Sequence, residues 1–390
     1  MQSDLVQDRA ERGRGKYILI ACPWTPKGGG MFKIADYLIQ AQSFPTPAGA
    51  AELRPLDTRG GAHAFFSFWI LANALCKLVI GRASGQLVGV HVNMAERLSL
   101  LRKSVVIVAS RALGLPVVLH LHAAQLHHFY RELPRPLQAL TRWIFSLPST
   151  CIVLGTVARR FVMEELHVPG ERVEIVINGV PEPALPRRRT SANGVQKILF
   201  VGNLSERKGV SDLLHALAQP DFGTDHIQVS IAGGGDVESY RKKLQALGLA
   251  SFVRLEGWSD QSQVAHLMAS ADVLVLPSYD EGLPLVILEA LANGVAVLCS
   301  PVGEIPASLT DGVNAVFVKP GDVKGIAAGL REILRDTELR ETLERNGRAL
   351  YEKHFSLARF FSSVAKIHQR DFGLAGKPYL RSMQSQEKAR

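Results

Sequence analysis

Short apolar runs and longer amphipathic stretches alternate along this chain, and turns rich in glycine or proline separate them. A short, continuous apolar run between such turns is typical of a buried strand. Predicted strands lie at 16–21, 86–93, 117–122, 151–154, 173–177, 197–201, 227–232, 253–255, 272–276, 295–299 and 315–318. Apolar residues at helical spacing predict helices at about 31–42, 63–80, 136–146, 210–218, 284–293 and 357–372. Strands that alternate with helices in this way predict parallel sheets with right-handed crossovers.

A proline-rich, basic stretch, PEPALPRRRTSANG, interrupts this series after residue 180. Because a chain of 390 residues is too long for one ordinary core, we interpret the stretch as a linker between two domains. The predicted class is α/β, with two doubly wound Rossmann-like domains whose parallel sheets face a central cleft. The predicted parts are a first domain at 1–181 with residues 1–15 disordered, a linker at 182–196, a second domain at 197–355, and a segment at 356–390 whose helix packs back on the first domain before a frayed tail.

The clearest candidate site lies in the segment 272–300, DVLVLPSYDEGLPLVILEALANGVAVLCS. Its pattern predicts a strand, a loop, a helix and a second strand, with the loop at the carboxyl ends of the strands, where open α/β sheets bind ligands. Glu281 lies at the mouth of the predicted helix, and Glu289 lies about two turns further along it. The helix N-terminus favours an anion, and carboxylates accept hydrogen bonds from hydroxyl groups. We therefore expect a ligand with a negatively charged middle and hydroxyl groups beyond it.

Two further loops follow predicted strands and carry suitable groups. The loop GNLSERKG supplies the cations Arg207 and Lys208. Near the amino terminus, Gly29 and Gly30 belong to a glycine-rich turn between a strand and a helix, where backbone can approach a ligand closely. This turn matches neither the G-x-G-x-x-G fingerprint nor a Walker loop, so by itself it identifies no ligand.

Composition and charge narrow the class of protein. With 47% hydrophobic and 21% charged residues, the chain is globular rather than disordered. Its net charge of +9 is concentrated in residues 1–180, which hold 20 Lys and Arg against 12 Asp and Glu. A basic half fits an anionic membrane surface or a phosphorylated substrate, although an ordinary solvated basic face is an alternative. No basic motif interleaved with aromatic residues favours nucleic acid.

Cofactors and location are inferred from what the sequence carries. The four cysteines are widely spaced and form no CxxC pair, which favours free thiols in a reducing cytoplasm. The charged amino terminus has no apolar core of a signal peptide, and the longest apolar stretch is too short to span a bilayer. No Asp-x-Asp pair ends a strand. We expect a metal-independent protein without a cofactor, cytoplasmic or peripheral at the inner face of the cytoplasmic membrane.

Several motifs, taken in order, resemble one family. GNLSERKG, SYDEGLPLVILEALANGVAVLCSPVGEIPA and DGVNAVFVKPGD resemble the donor-binding region of retaining glycosyltransferases of the GT-B fold, glycosyltransferase family 4 (group 1). The resemblance extends from about residue 16 to 372. It implies transfer of a sugar from a UDP- or GDP-sugar to a hydroxyl acceptor with the α-configuration retained. VHVNMAERLSLLRKS and GLPVVLHLHAAQLHHFY also resemble members that act on lipid-linked oligosaccharides in cell-surface polysaccharide synthesis.

The resemblance assigns roles to individual residues. It implies that Glu281 contacts the donor sugar, that Glu289 contacts the ribose, and that the glycine turn closes over the diphosphate. The implied donor-binding residues are Gly29, Gly30, Asn203, Arg207, Lys208, Gly282, Leu283, Pro284, Leu285 and Glu289, and the implied catalytic residues are His122, Glu281 and Lys208. Asn203 stands where the family usually has an arginine. Since asparagine supplies no charge, we expect Arg207 to compensate.

Two histidines compete for the place beside the donor sugar. His120 and His122 both lie on the predicted strand 117–122, and we expect them to point to opposite faces. His122, at the end of the strand, matches the family histidine. We expect His120 to be packed or hydrogen-bonded within the fold.

Aromatic residues pose two open choices. The segment 65–69 carries Phe65, Phe66, Phe68 and Trp69, for which interior packing is favoured over a membrane-docking face that includes Arg102 and Lys103. Trp258 follows a strand where the family places a loop beside the nucleotide base. Stacking on the base and half-buried packing are equally consistent with its position.

Two other functions fit the same sequence. A nucleotide-sugar 2-epimerase would use the same fold and would convert the donor without an acceptor. A non-catalytic sugar-nucleotide-binding subunit would bind the nucleotide without turnover, and Asn203 leaves room for it.

Overall fold

The computed structural model describes residues 15–25, 29–40, 51–60, 67–123, 125–187, 194–223 and 226–374. The described chain divides into two compact units, one that ends at Ile177 and resumes at Ala358, and one at Asn178–Leu357. The sequence prediction placed the first boundary at residue 181 instead. The predicted disordered residues before 15, the glycine at 28, the middle of the linker at 188–193 and the tail beyond 374 lie outside the described residues.

A sheet of six parallel strands forms the first unit. The strands are β1 (Tyr17–Cys22), β2 (Glu52–Asp57), β3 (Leu87–Met94), β4 (Val117–Leu121), β5 (Thr150–Val153) and β6 (Val173–Ile175). They lie in the order β2-β1-β3-β4-β5-β6. The helices are α1 (Gly29–Gln40), α2 (Ser67–Ala83), α3 (Leu98–Ala112), α4 (Leu126–Glu132), α5 (Arg135–Ser146) and α6 (Thr156–Glu164), with a short 3-10 turn at Gly170–Arg172.

The second unit is also built on six parallel strands. Its strands are β7 (Gln196–Val201), β8 (Ile227–Ala232), β9 (Val253–Gly257), β10 (Val273–Leu276), β11 (Ala296–Cys299) and β12 (Val316–Phe317), in the order β12-β11-β10-β7-β8-β9. Its helices are α7 (Val210–Leu217), α8 (Val237–Ala246), α9 (Gln261–Ser270), α10 (Leu285–Ala292), α11 (Ile305–Ser308), α12 (Val323–Arg335) and α13 (Thr337–Leu350), with a 3-10 turn at Glu206–Lys208 and a π turn at Tyr351–Phe355. The last helix, α14 (Leu357–Asp371), belongs to the first unit from Ala358 onward. The predicted class, two doubly wound parallel-sheet α/β domains, is confirmed.

Burial explains why most strands were predictable and one was not. Every residue of β10 and of β11 is buried, as continuous apolar runs indicate. β2 was missed, because in Glu52–Asp57 only Leu56 is buried. This strand lies at the edge of its sheet and contains Pro55, which has no backbone N–H to donate.

Side chains at the start of α2 and α3 correct one expectation. Phe68 and Trp69 are 71% and 66% exposed, so the favoured interior packing is wrong for these two residues. Lys103 is the reverse case, since it is buried and its amine donates to the hydroxyl of Thr58. A surface role for Lys103 is therefore excluded. Phe65 and Phe66 lie outside the described residues.

The four cysteines differ in how far they are exposed. All four cysteines are free; Cys22, Cys151 and Cys299 are buried, whereas Cys76 is exposed on α2. Burial raises the pKa of Cys22 and of Cys151 to about 12, and it raises the pKa of Cys299 further. In the described part of the chain, no helix is both long enough and apolar enough to cross a bilayer.

A cluster of four histidines, three of them buried and His122 partly exposed, ties α14 to the first sheet. The Nδ1 atom of His91 lies 2.8 Å from Nε2 of His368 on α14. The ring centroids of His91 and His120 are 5.4 Å apart, and those of His120 and His122 are 4.0 Å apart. The expectation that His120 and His122 point to opposite faces is wrong, because residues two apart on a strand lie on the same face.

All four imidazoles are held in the neutral form. Burial lowers the pKa of His122 and of His368 to about 3, and it lowers the pKa of His91 and of His120 well below the usual value, with nearby histidines adding to the shift for all but His368. Neither ring nitrogen of His120 has a hydrogen-bond partner among the described residues. The cluster is therefore stable only while no proton is added to it.

We predict that acidification below pH 6.5 destabilises the first unit. In the unfolded chain a histidine has a pKa of about 6.5, so the unfolded state binds more protons than the fold as the pH falls. The stabilisation is complete above this pH, and about 1.4 kcal/mol per cluster histidine is lost between pH 8 and pH 5.5. Urea unfolding at the two pH values measures the loss. Equal stability of the native protein at both pH values would contradict the prediction.

Candidate functional site

The strand order of the second unit reverses between β7 and β10. These neighbours are parallel, with Ile198 paired to Val273, so both strands end at the same edge of the sheet. The loop 202–209 follows β7, and the loop 277–284 follows β10. Ligands of open α/β sheets bind at such a reversal point, which makes the meeting of these two loops the candidate site.

An ion pair joins the two loops. The amine of Lys208 donates to Oε1 of Glu281, and the hydroxyl of Ser278 donates to the same oxygen at 2.8 Å. The side chains of Lys208 and Glu281 are only 13% and 7% exposed. Because burying a single charge without a partner costs several kcal/mol, each group holds the other in place. The sequence predicted both residues but neither their contact nor the part of Ser278.

Backbone contacts fasten the same loops. The N–H of Tyr279 donates to the carbonyl of Arg207 at 2.8 Å, and the guanidinium of Arg207 donates to the carbonyl of Asp280 at 2.6 Å. Gly209 has a φ of 68°, and a Cβ there would overlap the carbonyl oxygen of Pro277. This close approach explains a glycine directly after Lys208. Since Arg207 already has a partner in the protein, its compensation for Asn203 stays a prediction.

Helix α10 begins four residues after Glu281. Leu283 is buried, Pro284 is the N-cap residue in an extended conformation, and Leu285 begins the helix. Free backbone N–H groups and the helix dipole make this N-terminus favourable for an anion. Leu285 and Glu289 are both partly exposed and lie four residues apart, so they share one face of α10.

A third loop, which follows β11, packs against the loop 277–284 that carries Glu281, here called the carboxylate loop. Gly303 has a φ of 60°, and a Cβ there would overlap the carbonyl oxygen of Glu281. The N–H of Glu304 donates to the carbonyl of Gly282 at 3.1 Å. Sequence reasoning included this loop only as part of a longer motif. A glycine two residues before a helix was the only local signal of a close approach.

The ends of β7, β8 and β9 converge beside this site. The N–H of Leu204 donates to the carbonyl of Gly234 at 2.7 Å, and that of Gly233 donates to the carbonyl of Gly257 at 2.7 Å. Asn203 is exposed, and Trp258 next to Gly257 is 50% exposed. The half-exposed indole of Trp258 and the uncharged amide of Asn203 therefore lie beside these glycines.

Asp236, directly after these glycines, accepts a hydrogen bond from the N–H of Ser239 at 3.1 Å. It is the N-cap of α8. Its position after three glycines is compatible with either a helix cap or a nucleotide contact, and the observed contact is the cap.

The first unit also has predicted site residues at the carboxyl edge of its sheet. Gly29, with a φ of 66°, and Gly30 are exposed and open α1 after β1. His122 follows β4, and its Nε2 lies 2.7 Å from Oδ1 of Asn93 on β3. Because the pKa of His122 is low, the imidazole is neutral near pH 7. The glycines and His122 lie at the carboxyl ends of strands in one sheet.

The predicted site residues thus fall into two groups. Asn203, Arg207, Lys208, Glu281, Gly282, Leu283, Pro284, Leu285 and Glu289 all lie at the carboxyl edge of the second sheet or on the helix that opens there, and Gly29, Gly30 and His122 lie at that of the first. Among the described residues, no group of three or more His, Cys, Asp and Glu side chains is arranged to hold a metal ion. Chemically, the residues at the edge of the second sheet can act in two ways. Their cation and helix N-terminus suit an anion, and their carboxylates can accept hydrogen bonds from hydroxyl groups.

Most of the second unit is similar in sequence to known glycosyltransferases. Residues 182–350 match the family model of glycosyl transferases group 1. An uncharacterized glycosyltransferase of Methanocaldococcus jannaschii is 32% identical over 218 residues, which cover 52% of this chain and 55% of that protein. The phosphatidyl-myo-inositol mannosyltransferase of Mycobacterium leprae is 36% identical over 195 residues, which cover 49% and 51%. The similarity to group 1 glycosyltransferases therefore lies in residues 182–350.

A solved structure extends the likeness to both units. The crystal structure of HepE from Anabaena in complex with UDP and glucose has a TM-score of 0.70 at 19% sequence identity, covering 90% of this chain and 99% of HepE. At this identity the likeness shows the fold, which is GT-B. The chain spans about half the length of the curated relatives it matches.

We predict that Gly303→Ala destabilises the second unit more than Gly312→Ala does. Both glycines adopt the left-handed backbone conformation, with φ values of 60° and 68°. Either substitution therefore brings a backbone penalty of about 1–2 kcal/mol. Only Gly303 faces the carbonyl of Glu281, whereas a Cβ at Gly312 would meet nothing within 4 Å. We expect an additional loss of about 1–3 kcal/mol for Gly303→Ala, because the carboxylate loop must move. Urea unfolding measures both variants, and equal losses would contradict the assigned contact.

Proposed function

We propose that this protein is a retaining hexosyltransferase of glycosyltransferase family 4. It moves a sugar from a UDP- or GDP-sugar to a hydroxyl acceptor. The observation that carries the proposal is the buried Lys208–Glu281 pair at the mouth of α10, with Glu289 further along the same helix. The group 1 family match over residues 182–350 supports a nucleotide-sugar donor. So does the GT-B likeness to HepE, a protein crystallised with UDP.

The charges at this site suit the chemistry of sugar transfer. When the glycosidic bond to the donor breaks, negative charge grows on the diphosphate that leaves. Lys208 and the N–H groups that open α10 stabilise that charge, since they are already fixed before the reaction. A bound diphosphate competes with Glu281 for Lys208. The carboxylate of Glu281 then turns to the hydroxyl groups of the donor sugar, and Glu289 accepts from the ribose hydroxyl groups.

The first unit supplies the remaining groups. Gly29 and Gly30 let backbone approach the diphosphate closely, and neutral His122 lies beside the donor sugar, where it can accept or donate one hydrogen bond. The acceptor hydroxyl loses its proton to the departing phosphate oxygen, and its oxygen forms the new bond to the sugar on the face that the nucleotide leaves. This route retains the α-configuration. The positive charge comes from the protein, so the reaction proceeds without a metal ion or a cofactor.

We further propose a lipid-linked acceptor, an oligosaccharide on a lipid diphosphate used in cell-surface polysaccharide synthesis. Support comes from the phosphatidyl-myo-inositol mannosyltransferase relative, whose name includes a lipid. The concentration of net positive charge in residues 1–180 also suits an anionic lipid surface. The protein would then work in the cytoplasm, peripheral to the inner face of the cytoplasmic membrane.

We predict that Glu281→Gln and Lys208→Ala each lower sugar transfer, or donor hydrolysis in water, by about 100-fold or more. Each substitution removes one charge from a site arranged around both. The matched controls Glu338→Gln and Lys242→Ala change exposed residues that lie outside the two loops, and they should keep native rates. Circular dichroism checks that the variants fold. Native rates in both site variants would exclude this assignment.

A second prediction separates transfer from its alternatives. Incubation with a panel of UDP-, GDP- and ADP-sugars should release nucleoside diphosphate slowly from one of them, because water replaces the acceptor. A 2-epimerase would instead yield a changed nucleotide-sugar from donor alone. A non-catalytic subunit, which the uncharged Asn203 leaves open, would bind one nucleotide and release nothing. Chromatography of the nucleotides distinguishes the three results.

A further inference from the structure

The solvent face of α3 is apolar where its helix opens. Leu98 and Leu101 are 62% and 63% exposed, and Val105 on the next turn is also exposed. Their spacing of three and four residues places them on one stripe. The opposite, buried face includes the polar residues Lys103 and Ser104. That face also holds Leu100, Val106 and Ile107, so α3 carries apolar side chains on both faces. A helix that is apolar all round is usually covered on its outer face as well, which indicates an apolar partner for the outer stripe.

The opening turn of α2, the helix next to α3, exposes two aromatic rings. Phe68 and Trp69 are largely exposed, and their ring centroids are 6.0 Å apart in an edge-to-face arrangement. α2 packs against α3, and both helices open at the carboxyl edge of the first sheet. Tryptophan and phenylalanine on a helix are typical of surfaces that enter the boundary between lipid headgroups and acyl chains.

One turn holds the two helix openings together. The carboxylate of Asp57 accepts from the N–H groups of Arg59 and Gly60 at 2.9 and 3.0 Å. The hydroxyl of Ser67, the first residue of α2, donates to the carbonyl of Arg59 at 3.0 Å. The buried amine of Lys103 on α3 donates to Thr58 in the same turn. Arg59 and the opening turns of α2 and α3 therefore lie together at one edge of the first sheet.

Two arginines give this part of the surface its charge. Arg59 is exposed, and Arg102 lies on α3 beside Leu101. Burial lowers the pKa of Arg102, and the nearby positive charge of Arg59 lowers it further, which shows that the two guanidinium groups are neighbours. Neither arginine has an ion-pair partner among the described residues. Two neighbouring cations that form no ion pair favour an anionic partner.

We propose that a docking surface formed by Arg59, Phe68, Trp69, Leu98, Leu101 and Arg102 binds the surface of an anionic lipid bilayer. The four apolar side chains enter the headgroup boundary, and the guanidinium groups bind lipid phosphates at the same depth. A second copy of this chain fits less well, because a two-fold interface would bring the arginines of both copies together. Docking itself requires no sugar transfer. It deepens the proposed function, since a lipid-borne acceptor would reach the sheet edge that carries Gly29 and Gly30.

Vesicle sedimentation of the full chain tests the docking surface without donor or acceptor. We expect binding to phosphatidylcholine vesicles that contain phosphatidylglycerol, weaker binding to phosphatidylcholine alone, and a loss on raising the salt concentration. Trp69→Ala combined with Leu101→Ala should lower the partition coefficient at least tenfold. Arg59→Gln combined with Arg102→Gln should lower it about fivefold per arginine on anionic vesicles only.

Matched controls come from the same unit. Trp143→Ala removes an exposed tryptophan from α5, and Arg111→Gln removes a cation from the opposite end of α3; neither should change vesicle binding. Three results would overturn the proposal: no binding by the native protein, equal binding by the surface variants, or a dimer in sedimentation velocity that Trp69→Ala dissociates. Donor hydrolysis in vesicle-free solution reports on the proposed function separately, and the surface variants should keep it.

Discussion

The buried pair of Lys208 and Glu281 fixes how the two loops meet at the edge of the second sheet. The two residues come from loops after neighbouring parallel strands, and neither charge is tolerable in this position without the other. Their contact places a cation, a carboxylate and the N-terminus of α10 within one small region. The close approaches of Gly209 and Gly303 follow from the same constraint, because both let backbone pass where a side chain would push the paired loops apart.

The two units repeat one architecture with different chemistry. In each sheet the strand order reverses next to the first strand of the unit, between β1 and β3 and between β7 and β10. The second unit places paired charges at its reversal point. The first places a glycine turn there, and beside it a neutral histidine cluster that also anchors α14. Paired charges therefore lie at the reversal point of the second unit, whereas the corresponding edge of the first unit carries exposed glycines and an uncharged imidazole.

The sequence predicted the fold well because buried parallel strands appear as continuous apolar runs. It missed β2, whose edge position leaves no such run. It identified Lys208 and Glu281 from their loops, but a contact across 73 residues depends on the strand order, which no local pattern shows. Ser278 was missed for a different reason: it lies only three residues before Glu281, but the sequence of a loop does not show which side chains turn towards each other. Phe68 and Trp69 show another limit, since an apolar side chain in a helix does not reveal whether core, partner or lipid covers it.

The uneven burial of the thiols gives the chain a built-in point of chemical attachment. Cys22, Cys151 and Cys299 are shielded, and burial keeps their pKa high, so they react slowly with alkylating reagents. Cys76 is exposed on α2, seven residues from Trp69 and therefore on the same side of the helix. A fluorophore or spin label added to the native protein would attach there without any engineered cysteine. It would report the polarity that this face of the first unit experiences in solution and in the cell.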